Sequence, residues 1–83
     1  MIRVAIVEDE EAYARDLTVF LRQYELKRGV ELTVDTFSSG VDFISDYNAR
    51  YDVVFMDIKL PHMNGMQCAV RLRRLDEDVA LIS

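Results

Sequence analysis

Tyr51-Asp52-Val53-Val54-Phe55-Met56-Asp57-Ile58-Lys59-Leu60-Pro61-His62-Met63-Asn64-Gly65 holds a strand, a carboxylate, a turn and a helix start in succession. Val53 to Met56 is a short apolar run of β-formers, the composition of a strand buried on both faces. It stops at Asp57. The chain turns through Pro61 and restarts as a helix at Asn64, where Asn64-Gly65-Met66-Gln67 has the spacing of a capping box. A carboxylate directly after a buried strand and before a helix start stands where open parallel sheets bind ligands. Taken alone, Asp57 is more simply explained as the polar residue that ends a strand. The remainder of the chain shifts that balance.

Upstream, Ile2 to Val7 is a second β-rich apolar run, and it ends in four acids, Glu8, Asp9, Glu10 and Glu11. Acids are favourable in the first turn of a helix, which accounts for Glu10 and Glu11 but poorly for Glu8 and Asp9 at the strand's very end. A helix is predicted from about Glu10 to Lys27. Its apolar face of Tyr13, Leu17, Phe20, Leu21 and Tyr24 is expected in the core, with Gly29 as a left-handed cap. Val30 to Phe37 alternates apolar and polar residues, as a half-exposed edge strand does. Ser39 is the expected N-cap of a second helix with Val41, Ile44 and Tyr47 as its stripe, ending near residues 48–50.

Downstream, Cys68, Ala69, Leu72 and Leu75 share one side of the third helix, and Cys68 there is a small core residue. His62 has no second His or Cys at zinc-site spacing and is a solvated loop residue. Val79 to Ile82 begin a fourth apolar strand, expected to be covered on both faces. The order β-α-β-α-β-α-β implies parallel βαβ units with right-handed crossovers and helices on both faces of the sheet.

The chain has 83 residues, enough for one domain (1–83). Its formal charge of −5 argues against a nucleic-acid surface. The single cysteine and the charged start after Met1-Ile2 fit a cytoplasmic protein without a signal peptide. No apolar run approaches the length that spans a membrane.

Two strands thus end in acids, the first at Glu8-Asp9 and the third at Asp57. A parallel sheet aligns its strand C-termini on one edge, so if these strands are neighbours three carboxylates converge in a crevice. Their mutual repulsion is relieved by a cation, and an open site of oxygen ligands suits Mg²⁺. One acid could then serve as nucleophile toward a phosphoryl group. Spacing alone does not make this specific.

The motifs add that specificity. Val4-Ala5-Ile6-Val7-Glu8-Asp9-Glu10, the segment 52–65 and Phe37-Ser38-Ser39-Gly40 together resemble the receiver domain of bacterial two-component response regulators. The resemblance implies a flavodoxin-like doubly wound parallel sheet with strand order 2-1-3-4. It implies that Asp57 is the phosphoacceptor. Asp9 and Asp57 would bind Mg²⁺ directly, with the backbone carbonyl of Lys59 as a third ligand and Glu8 acting through water. Pro61 and Gly65 would shape the loop. The implied role is phosphorelay signalling: a sensor histidine kinase donates the phosphoryl group, and the domain takes part in its own phosphotransfer without being a conventional enzyme. The output in this family is most often transcription.

Leu75-Asp76-Glu77-Asp78-Val79 is similar to regulators carrying a LytTR-type DNA-binding domain. The family pattern continues into a fifth strand ending in an active-site lysine, a position that lies beyond Ser83, so the chain is expected to be truncated. The fourth strand is then an exposed edge, and self-association through it is expected. The alternative is a phosphorylation-incompetent interaction module of the same fold. A phosphatase or hydrolase of related topology is a weaker rival, since no general acid stands out.

Overall fold

The computed structural model describes residues 1–57 and 65–83. Lys59, Pro61, His62 and the Asn64 cap fall outside the described residues. The elements run β1 (Ile2–Val7), α1 (Glu11–Arg28), β2 (Leu32–Phe37), α2 (Gly40–Ser45), β3 (Val53–Met56), α3 (Gly65–Leu75) and β4 (Ala80–Ile82). The four strands form one parallel sheet in the order β2-β1-β3-β4, as the sequence predicts.

Each face of the sheet has its own core. On one face, Ala5, Val7, Val54 and Met56 meet Phe43 of α2 and Cys68 and Leu72 of α3. On the other, Val4, Ile6 and Leu32 meet Leu21 of α1, with Ala14 and Leu17 packed alongside. The alternation along β1 follows the strand's period of two, and a sheet covered on both faces has an apolar β1.

Local signals place the helix ends. Gly29 takes φ 64° and ψ 35°, and its N–H donates to the Glu25 carbonyl, closing α1 with the left-handed cap that only glycine adopts without strain. The Ser39 side chain accepts a hydrogen bond from the Asp42 N–H at 3.1 Å, capping α2. Glu25 accepts from the Leu32 N–H at 2.7 Å and from Arg22 at 2.9 Å, which ties the end of α1 to the start of β2. These bonds hold the Glu25 carboxyl below its ordinary range, the Leu32 N–H being the larger cause.

Several expectations about burial are corrected. On α1 only Leu21 is buried and Leu17 half-buried, while Tyr13, Phe20 and Tyr24 are 60%, 62% and 42% exposed. The helix packs over β2 and β1, and no other described helix lies beside it on that face to cover the aromatic flank. On α2, Val41 is exposed and Phe43 is the core residue. That helix stops at Ser45, short of residues 48–50, because Tyr47 is drawn into an aromatic cluster. Its ring lies 5.3 Å from that of Phe43, and its hydroxyl donates to Asp76 at 2.6 Å. Leu75, at the last position of α3, is half exposed, since Leu72 is the last residue of the helix to reach the sheet. In β4, Leu81 packs against the α2–α3 core while Ala80 and Ile82 face the other side and are exposed. The fourth strand is therefore not covered on both faces.

Phe43 is 2% exposed and makes edge contacts with Phe37 and Tyr47. Phe43→Ala is expected to cost about 3–5 kcal/mol in urea unfolding. Leu26→Ala, at a position 87% exposed, is expected to change stability by less than about 0.5 kcal/mol.

Candidate functional site

The parallel pairing of β1 with β3 aligns Val7 with Met56, so the residues that follow, Glu8 and Asp57, emerge together at the C-terminal edge of the sheet. The backbone stitches them there. The Asp57 N–H donates to the Val7 carbonyl at 3.3 Å, and the Glu8 N–H donates to Phe37 of the neighbouring strand at 2.9 Å. Glu8, Asp9 and Asp57 each bring a carboxylate oxygen within 4.8 Å of the others. Glu8 and Asp57 are half-buried and Asp9 is exposed.

Three carboxylates this close repel one another. Burial raises the Glu8 carboxyl above its ordinary value, and the neighbouring Asp9 and Asp57 raise it further. The Glu10 N–H opposes this by donating to Glu8 Oε2 at 3.1 Å. Glu8 thus serves both the acidic cluster and the start of α1, where Glu10 makes no side-chain cap.

The cluster sits between two open grooves. One, of about 290 Å³, runs along Glu8, Tyr13, Leu17, Phe55, Asp57 and Ser83. The other, of about 410 Å³, lies between Asp9 and Glu11 on one side and Thr36 and Ser38 on the other. Gly65 is buried as the first residue of α3, and the Lys59 carbonyl and Pro61 lie outside the described residues. Sequence reasoning assigns Ser83 no role, yet it lines the first groove together with Asp57. Its place directly after an apolar strand run was the available signal that it would reach this edge.

The cluster is a set of hard oxygen donors in an open setting, the chemistry that suits a divalent cation such as Mg²⁺. A family model, described as the response regulator receiver domain, matches residues 4–83. The chain belongs to the response regulator receiver domain family.

Sequence relatives include the transcription factor SKN7 of Chaetomium thermophilum, 31% identical over 98% of this chain and 10% of that protein. The sensory transduction protein RegX3 of Mycobacterium tuberculosis is 39% identical over 88% of this chain and 30% of that protein. The chain therefore spans a third or less of such relatives. Among solved structures, the response regulator TrrA of Thermotoga maritima in complex with Mg²⁺-BeF superposes with a TM-score of 0.83 at 24% identity, covering 98% of this chain and 66% of that one. TrrA in complex with the histidine kinase ThkA superposes with a TM-score of 0.65 at 23% identity, over 98% and 66% of the two chains. Both likenesses confirm the receiver fold. No described helix is long and apolar enough to cross a membrane.

A carboxyl whose folded-state pKa lies above its unfolded value destabilises the fold once it ionises. For Glu8 the penalty is absent below the unfolded value of about 4.3 and complete above the raised folded value. Glu8→Gln is therefore expected to raise the thermal midpoint of the receiver in EDTA at pH 7 by a few degrees. The gain should vanish below about pH 4, and melts across that pH range check it.

Proposed function

We propose that this receiver accepts a phosphoryl group on Asp57 from a sensor histidine kinase and thereby regulates an output, which in this family is most often transcription. The observation that carries the reading is the convergence of Glu8, Asp9 and Asp57 within 4.8 Å at the C-terminal edge of adjacent strands. The relatives and the TrrA structures with Mg²⁺-BeF and with a histidine kinase support it.

Asp57 and Asp9 would hold a Mg²⁺ ion directly and Glu8 would hold it through water, with the Lys59 backbone carbonyl, outside the described residues, as a further ligand. Bound there, the ion supplies positive charge against the three carboxylates and the phosphoryl oxygens. The chain's own residues do the remaining work. An Asp57 carboxylate oxygen attacks phosphorus as the bond from phosphorus to the kinase histidine breaks. The imidazole leaves with that bonding pair and regains a proton, and Asp57 becomes an aspartyl-phosphate. The β1–β3 pairing holds Asp57 beside Asp9, so the nucleophile and its charge partner are positioned before the donor arrives.

Incubation with a small phosphodonor such as acetyl phosphate and Mg²⁺, followed by intact-mass measurement, tests this. The parent chain should gain one phosphoryl group and Asp57→Asn none. A folded parent that gains none in Mg²⁺ would instead be an interaction module of the same fold. In Mn²⁺ titrations Asp9→Asn is expected to weaken binding more than Glu8→Gln, because Asp9 is the direct ligand. Equal affinity for Asp9→Asn and the parent would remove Asp9 from the site.

A further inference from the structure

α3 is a basic element in an acidic chain. It holds three of the chain's 10 basic residues and none of its 15 acidic ones, against a formal charge of −5 overall. Its inner side, Cys68 and Leu72, is buried against the sheet. Met66 and Val70 stand one turn apart on the opposite side, and both are exposed. With Ala69, Arg73 and Arg74 they line an open groove of about 400 Å³. By helical spacing, Arg73 borders this apolar stripe on one side, and Arg74 and Arg71 border it on the other. Arg73 donates to the carbonyls of Glu77 and Val79, and none of the three arginines forms an ion pair among the described residues. The stripe points away from the sheet, so a helix packed in the same layer would flank α3 and leave the stripe open.

We propose that this face of α3 docks a short, acidic, amphipathic helix of a partner protein. The partner's apolar stripe covers Met66, Ala69 and Val70, and its Asp and Glu side chains meet Arg71, Arg73 and Arg74. The planar fork of an arginine suits a carboxylate. α3 has 11 residues, so its outer face matches about three turns of partner helix. Charge selects this occupant. A second copy of this chain docking through the same face would set Arg71, Arg73 and Arg74 against their like. An extended polyanion, such as a nucleic acid or an anionic membrane, reaches past α3 to the acidic remainder of the chain and is repelled. A helix of three turns contacts α3 alone.

Two synthetic peptides of about 14 residues serve as probes. Both carry leucines at helical spacings of three and four, and the remaining positions are glutamate in one and lysine in the other. Titrated into the isotope-labelled full chain, the glutamate peptide should shift the α3 amides, saturate below roughly 1 mM and weaken as salt is added. The lysine peptide should leave α3 unshifted. Arg71→Gln combined with Arg74→Gln, both exposed positions, should weaken the glutamate peptide roughly threefold to tenfold. Val70→Glu should abolish its binding, with an unchanged far-ultraviolet circular dichroism spectrum. Should Val70→Glu fail to fold, the arginine variant decides the question. Phosphatidylglycerol vesicles should not retain the chain. No saturable shift in α3, equal binding of the two peptides, binding that the folded arginine variant leaves intact, or retention by the vesicles overturns the proposal.

Discussion

The parallel pairing of β1 with β3 is the contact on which the rest of this structure depends. It sets Val7 beside Met56, and through that register it decides what stands at the sheet's edge. Antiparallel pairing would send the acidic end of one strand to the opposite edge from the other. Parallel pairing requires a crossover, and α1 and α2 on opposite faces provide two of them. The crevice at Glu8, Asp9 and Asp57 lies where those crossovers diverge. The same register buries Val4 to Val7 almost completely, so the strand that positions two of the acids is also the most constrained part of the core.

The α2–α3 face carries a second organising feature. The rings of Phe37, Phe43, Tyr47 and Tyr51 lie 5.1–6.2 Å apart in edge and tilted contacts. Their polar ends are anchored outward, Tyr47 donating to Asp76 and Tyr51 to Asp35, which joins β2, α2, the approach to β3 and the end of α3. Burial, with the acceptor carboxylates, pushes both phenols above their ordinary range, so they stay neutral donors at any physiological pH. Burial likewise pushes the Cys68 thiol up to about 11, which makes it a packing residue and not a nucleophile.

Most of the fold was legible in the sequence because its signals are local. Strand runs, the Gly29 cap and the Ser39 cap each depend on a few adjacent residues, and the β-α alternation fixes a parallel sheet. The meeting of Glu8 and Asp9 with Asp57 was legible for the same reason, since parallel strands end together. Burial was less legible. Helical periodicity says which residues share a face, and it does not say whether a neighbour covers that face. Tyr13, Phe20 and Tyr24 share a flank as expected, yet they lie exposed on a half-covered side. Phe43 was missed because the stripe Val41–Ile44–Tyr47 fits a longer helix, and α2 ends once Tyr47 joins the ring cluster. Val79 to Ile82 read as a continuous apolar run, but the sheet gives cover to Leu81 on one side only.

Glu8 shows how the site and the fold share one side chain. Its carboxylate accepts the Glu10 N–H, one of the free backbone donors at the start of α1, where no side chain of Glu10 does so. The same carboxylate stands within reach of Asp9 and Asp57. Burial and its acidic neighbours favour protonation, and the Glu10 N–H favours the ionised form that the cluster needs to attract a cation. Neutralising the cluster from outside removes the repulsion without removing the Glu10 bond, so charge arriving at the site and the start of α1 reinforce each other. The helix that begins at this carboxylate carries the exposed Tyr13, Phe20 and Tyr24 along its length. The acidic edge and the aromatic flank are therefore joined by one continuous element.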